Sequence, residues 1–318
     1  MSRVEPEISP QDEAARAGWL SYVGGLTQDQ IAVELGISRQ RAQRLVSRAM
    51  ADGLIHVRLN HRIATCLDLE TALKDRFGLQ RARVMPSLGP QSDPVRGIAP
   101  AAAAELERFL GMTAPLTIAL GTGRTLRAMV DAMEPIEALQ HRLVSLNGNI
   151  APDGSASFFD VVMRIADKVN APHYPMPVPV VSPTEAENAA FHALPPVRRV
   201  MALARSADVV FVGVGQMSDD APMLKDGFVS RAELQEMQMG GAMGEVAGWV
   251  YDANGTYLDF GINRRTGGVR VEAGLDRPSI GIAAGAPKLP AIFGALKSGI
   301  INGLITDEPT ATALLSRP

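Results

Sequence analysis

LTQDQIAVELGISRQRAQRLVSRAMADGLIHVRL, residues 26–59, decides how the amino-terminal part of the chain folds. Thr27 followed three residues later by Gln30 is a capping box, which predicts a helix that opens there and runs through Ile31, Ala32 and Leu35 to Gly36. Ser38 is a second helix cap, and Ala42, Leu45, Val46 and Ala49 recur behind it at helical spacing. Ala32 supplies the small residue where two helices cross, Gly36 a turn residue free to take positive φ, and Ile37 an inward apolar anchor. These are the requirements of a helix-turn-helix. Asp52 and Gly53 close the second helix, and LIHVRL alternates as the short strand of a wing. Upstream, AARAGWLSYVGG reads as a first helix whose Trp19, Leu20 and Val23 cover the pair.

Charge follows the same division. Residues 1–15 hold Glu5, Glu7, Asp12 and Glu13 against Arg3, whereas residues 36–62 hold six arginines against Asp52 alone, a net +5. A basic run is often only a solvated helix face. Here it lies on the helix that the motif would place in a DNA major groove. Arg39, Gln40, Arg41, Gln43 and Arg44 are of types that read guanine and adenine edges, while Thr27, Gln28, Ser38 and Arg48 suit the phosphate backbone.

The whole chain of 318 residues, 46% hydrophobic, 20% charged and with a net charge of −3, predicts a globular protein of two domains, 1–60 and 61–318, whose nucleic-acid contact is local. No run is apolar enough to span a membrane, and the acidic, polar start predicts a cytoplasmic protein. Cys66, the single cysteine, forms no internal disulfide and reads as a small packed residue.

Beyond residue 63, apolar runs of strand length each end in a small or polar loop: ARVMP, LTIAL before GTGRTL, LVSL before NGNI, DVVFV before GVGQM, SIGIA before AGAPK, and NGLIT before DEPTA. Helical stretches lie between several of them. The alternation predicts an α/β domain with a doubly wound, mainly parallel sheet and a ligand site beyond its carboxyl ends. In GTGRTL, Gly121 and Gly123 allow a tight turn, Thr122 and Thr125 add hydroxyls, and a helix starting near Thr125 contributes its positive end. This suits a phosphate or a polyhydroxy compound, although GxG at a strand end is as often only a turn. Gly148 in NGNI, Gly213 and Gly215, and Lys288 stand at the ends of other strands and suggest a shared site.

Several blocks in order resemble the SorC/DeoR family of bacterial transcriptional regulators: residues 26–57, LGTGRTL, ADVVFVGVG, GAMGEVAGWVYDANG, and the closing IAAGAPKLPAIFGALKSGIINGLITDEPTATALL. WLSYVGGLTQ is similar to erythritol-type polyol regulators within it. The resemblance implies a sensor domain similar to glucosamine-6-phosphate deaminase and ribose-5-phosphate isomerase, commonly responding to phosphorylated sugars and often acting through homotetramers. Carried onto this chain, Gly121, Thr122, Gly123, Arg124 and Thr125 would hold a phosphate or its substitute, with Lys288 as a point charge. Gln216 and Glu245 would meet sugar hydroxyls. Asp307 is a further candidate, or simply a helix cap.

Two departures matter. The deaminases carry Asp-Gly-His after their counterpart of GVG, and this chain has Gln216-Met217-Ser218. None of His56, His61, His141, His173 and His192 lies in a matched loop, so no catalytic residue, metal or cofactor is expected. Pro287 stands where the family has glycine and has no N–H to donate. The expected function is therefore a transcriptional regulator, repressor or activator, of a sugar or polyol catabolic operon, controlled by a sugar, polyol or, first of all, sugar-phosphate effector and bound to operator DNA as a dimer or tetramer. The alternative is a sugar-phosphate isomerase or deaminase with an accessory basic domain.

Overall fold

Residues 9–55, 63–156 and 161–317 are described in a computed structural model of the chain. It falls into two units, 1–61 and 62–318. In the first, α1 (Pro10–Tyr22), α2 (Gln28–Leu35) and α3 (Arg39–Ala51) surround a small core of Ala14, Ala17, Ile31, Ala32, Ala42, Leu45 and Ala49. The Thr27 box forms as expected: the Thr27 N–H donates to Gln30 Oε1 at 2.9 Å and the Gln30 N–H to Thr27 Oγ1 at 3.4 Å. Gly36 ends α2 at φ 64°, and Ser38 Oγ accepts from the Arg41 N–H at 3.2 Å.

The first helix differs from expectation. Trp19 and Val23 are 61% and 59% exposed, and Leu20 alone of the three packs on the core. The reason is the closeness of α1 to α3: a Cβ on Gly18 would stand 2.9 Å from the Ala49 Cβ and 2.8 Å from Ile55 Cγ1. Only small residues fit that contact, so the large ones turn outward. Leu54 and Ile55 are not in a strand, and the rest of the expected wing lies outside the described residues.

The second unit is built on seven parallel strands: β1 (Arg81–Met85), β2 (Thr117–Leu120), β3 (Arg142–Ile150), β4 (His173–Pro179), β5 (Val209–Gly213), and, after three short strands, β9 (Ser279–Ile282) and β10 (Gly303–Asp307). Their order is β1-β10-β9-β5-β2-β3-β4. In the run VVFV, Val209 and Phe211 enter one core while Val210 and Val212 enter the other. A strand apolar on both faces requires cover on both. Among the described helices, α5 (Pro94–Leu110), α6 (Arg124–Asp131) and α7 (Val162–Val169) cover the first face. The other is covered by α4 (Ala64–Phe77), α9 (Pro195–Arg205, after α8, Glu185–Ala193), α12 (Leu289–Lys297) and α13 (Glu308–Ser316).

The chain leaves β2 toward β3 and β4, returns to β5 beside β2, and continues the opposite way to β9 and β10. The switch point therefore lies between β2 and β5, where doubly wound sheets open a crevice at the carboxyl ends. Above it sits a small antiparallel sheet of β6 (Gly215–Gln216), β7 (Gly244–Val246) and β8 (Trp249–Tyr251). With α10 (Pro222–Lys225) and α11 (Arg231–Met239) it forms an insertion with its own core. The sequence reading took GVGQM as one loop; Val214 alone separates β5 from β6.

Cys66 is buried, and burial, with the Glu308 carboxylate second, pushes its thiol up to about 11. No described helix is long and apolar enough to cross a membrane.

Candidate functional site

On α3 the buried positions Ala42, Leu45 and Ala49 fix which side chains face away. At 3.6 residues per turn the opposite strip is Gln40, Gln43, Arg44 and Ser47, all exposed. The flanking arginines are engaged. Arg41 forks onto both oxygens of Glu13 on α1 at 2.8 and 3.0 Å, Arg39 lies 3.4 Å from Asp29, and Arg48 lies 3.0 Å from Asp52. Arg44 has no carboxylate partner among the described residues. Thr27 and Ser38 use their side chains as helix caps, and Gln28 opens α2. Ser47, on the same strip, was not among the sequence candidates; helical spacing from Gln40, Gln43 and Arg44 would have found it.

In the second unit a cavity of about 430 Å³ opens at the switch point. That is within the range of small-molecule sites. Thr122, Gly123, Arg124 and Thr125 line it from the end of β2, and Gly213, Gly215 and Gln216 from β5 and β6. Glu245 comes from β7, Lys288 from the turn after β9, and Asp93 from the cap of α5.

Three expected residues lie elsewhere. Gly121 continues the ladder, donating its N–H to the Phe211 carbonyl at 2.9 Å. Gly148 is inside β3, because the strand runs on through NGNI, and a Cβ there would stand 2.3 Å from the Pro179 oxygen. Asp307 caps α13, accepting from the Thr310 N–H at 3.0 Å; Thr310 Oγ1 in turn accepts from the Gly285 N–H at 2.8 Å. Asp307 therefore braces the Lys288 turn without entering the cavity. The neighbour of Gly148, Asn147, is the residue that lines it, and it is only 3% exposed. Adjacent strand residues face opposite sides, so reading NGNI as a loop missed Asn147 by one position.

Close approach builds the floor. A Cβ on Gly215 would stand 2.2 Å from Glu245 Oε1, so glycine is required there for contact rather than for φ. Glu245 Oε2 accepts from the Gly248 N–H at 2.8 Å across the two-residue turn between β7 and β8, where Ala247 takes φ 51°. A non-glycine residue at positive φ is strained, and such strain gathers at binding sites.

Two opposed charge shifts meet here. Burial raises the Glu245 carboxyl above its ordinary 4.5, against the Gly248 N–H and the Lys288 ammonium, which favour the charged form. Burial likewise lowers Lys288 below 10.5, against Glu245 and Asp93. At the mouth Arg124 makes a two-armed pair with Asp226, one arm at 3.1 Å. Two buried side-chain oxygens, Asn147 Oδ1 and Gln216 Oε1, have no hydrogen-bond donor. Unsatisfied buried acceptors on a cavity wall call for a donor from a ligand or a water. None of the three described histidines lines the cavity. His141 instead takes the Leu116 N–H on Nδ1 at 3.0 Å.

Comparison with known proteins matches both units. Residues 61–316 match the family model of a sugar-binding domain (Sugar-bind), and residues 10–62 a MarR family model. The chain is 35% identical over 305 residues to the erythritol catabolism regulatory protein EryD of Brucella abortus (strain 2308), covering 96% of each. It is 33% identical over 316 residues to the transcriptional regulator LsrR of Enterobacter sp. (strain 638), covering 97% of this chain and 94% of that one. The crystal structure of the full-length sorbitol operon regulator SorC from Klebsiella pneumoniae superposes with a TM-score of 0.71 at 26% identity, over 95% of this chain and 98% of that one.

Proposed function

The chain belongs to the SorC-type family of sugar-binding transcriptional regulators, and we propose from that premise that it controls a sugar or polyol catabolic operon through the two sites described above. α3 enters the major groove of an operator half-site. Arg44, Gln40 and Gln43 meet base edges, while Thr27, Gln28, Ser38, Arg39, Arg48 and Ser47 hold the backbone. The cavity between β2 and β5 takes the effector, with Gly123, Thr125, Gln216, Glu245 and Lys288 around it. The protein works in the cytoplasm as a homo-oligomer, because paired heads are what read paired half-sites about 10–10.5 base pairs apart or multiples of that.

The observation that carries this reading is the pairing, in one chain, of an outward polar strip on a capped recognition helix with a switch-point cavity whose wall holds unsatisfied acceptors. An isomerase or deaminase with an accessory domain is the weaker reading, because the cavity holds Gln216 where the deaminases carry Asp-Gly-His and no described histidine lines it. For the cavity to act as a switch, the effector must bind the DNA-competent and incompetent states unequally.

Selection of bound duplexes from a random DNA pool with the purified full-length chain tests the first half. A two-fold-symmetric consensus supports it, and retention of DNA without sequence preference overturns it. The alternative activity is tested by incubation with pentose phosphates and amino-sugar phosphates, for which no turnover is expected.

A further inference from the structure

A second cavity, of about 320 Å³, lies beside the switch-point site. The two have no lining residue in common but share a wall: Gly248 lines one and Trp249 the other, and Asn147 of the first is bridged to Gly268 of the second. We propose that this second cavity is a ligand site of its own and takes a phosphate dianion, free or as the monoester of a small metabolite.

Charge sets the class. Arg205 at the end of α9, Arg270, and Arg277 just before β9 line the cavity against one carboxylate, Glu272. Glu272 is held by Arg270, whose Nη2 donates to both of its oxygens at 3.1 Å and whose guanidinium lies 5.0 Å from the centre of the Tyr257 ring. Arg277 is fixed by backbone, its Nη1 donating to the Arg205 carbonyl at 2.7 Å and to the Ala207 carbonyl at 3.0 Å. Neither bond neutralises it. Arg205 has no carboxylate partner among the described residues. Asp208, the other carboxylate near Arg277, does not line the cavity and accepts from the Thr117 N–H at 2.7 Å. Two positive charges are therefore left unmatched on the wall, which complements a phosphate monoester at about −1.5 to −2 near neutral pH. Guanidinium forks meet phosphate oxygens in pairs, and no lysine takes their place here.

Hydrogen-bond polarity agrees. Among the described residues, the buried side-chain nitrogens left without an acceptor are Trp249 Nε1 and Arg277 Nε, and both residues line this cavity. A buried donor without a partner is costly, and a bound oxyanion is the acceptor this wall lacks. His192 adds a further donor. Its Nε2 accepts from the Gly268 N–H at 3.4 Å, and burial, with the Arg205 charge second, holds the ring below its ordinary 6.5, so the neutral imidazole carries its proton on Nδ1. A wall of donors whose one carboxylate is already engaged suits a ligand that only accepts, and a phosphate dianion has no proton to give. The volume is at the small end of ligand sites, which suits a small metabolite.

The chain has two tryptophans, and Trp19→Phe, a change at an exposed position in the other unit, leaves Trp249 as the sole reporter. Emission and Tm of this full-length variant are followed during titration with inorganic phosphate, glycerol phosphate and succinate at constant ionic strength. A saturable change with either phosphate, with succinate weaker by about tenfold or more, is the expected result. The tighter of the two phosphates shows whether the group arrives free or esterified. No saturable change in either signal, or succinate equal to the phosphates, overturns the proposal.

Arg205→Gln removes one unmatched charge from an exposed residue. It should leave Tm unchanged without ligand and weaken phosphate binding by about tenfold. Undiminished binding by this variant would contradict the assignment of the phosphate to this cavity.

Discussion

Arg41 and Arg44 lie three positions apart on one helix and differ in what holds them. Arg41 is spent on Glu13, and that pair is exposed on both sides, so its loss should cost about 0–1 kcal/mol of stability. Arg44 faces outward with no carboxylate partner among the described residues. Arg44→Ala should weaken specific operator binding by about 1–3 kcal/mol with an unchanged melting temperature, and more than Arg41→Ala does. Fluorescence anisotropy on a selected operator, beside thermal denaturation of both variants, measures this; a larger loss from Arg41→Ala would contradict it. The sequence could not separate the two arginines, because the partner of Arg41 is 28 residues away on another helix. Glu245 gives a pH-dependent expectation. Its folded pKa lies above the ordinary 4.5, so the stability it contributes is present below that value and is lost as pH rises through the folded one. Glu245→Gln, which keeps an acceptor for the Gly248 N–H, should match the wild type at pH near 4.5 and become the more stable of the two as pH rises. Melting curves across pH 4.5–8 check the sign, and a wild type that gains on the variant with rising pH would reverse it.

At the scale of elements, the caps and the parallel strands were legible because each is written locally. Thr27, Gln30, Gly36 and Ser38 determine three helix ends within twelve residues, and VVFV and TIAL are apolar runs each followed by glycine. What was illegible depends on partners distant in the chain. Trp19 was assigned to the core on its apolarity, and the crossing of α1 and α3 admits only Ala14, Ala17 and Gly18. The extent of β3 depends on β4, whose close approach at Gly148 keeps NGNI extended. That contact yields a test: Gly148→Ala places a methyl against the Pro179 oxygen and should cost about 3 kcal/mol or more, while Gly213→Ala, with no atom closer than 3.9 Å, should cost far less. Chemical denaturation of the two variants decides it. Equal losses would mean that the β3–β4 approach is not the constraint. The β6-β7-β8 sheet escaped the sequence reading because its strands are two or three residues long, below the length at which alternation can be recognised.

At the scale of the whole molecule, the chain joins a DNA-reading unit to a ligand-reading one, and regulation is a coupling free energy between them. Linkage requires that coupling to be reciprocal: whatever factor the effector imposes on operator affinity, the operator imposes on effector affinity. Family membership was legible from ordered blocks spread along the chain. The pairing of Arg124 with Asp226 and the orphaned oxygens of Asn147 and Gln216 were not, since a linear sequence displays none of them. The measurement that bears most directly on the central claim is a titration of the full-length chain onto its selected operator with and without a polyol that raises its Tm, paired with a titration of that polyol with and without operator. The account predicts the same factor both ways, of about 5–150-fold, and its loss in Asn147→Ala. Operator affinity unchanged at polyol concentrations that saturate the cavity would contradict it.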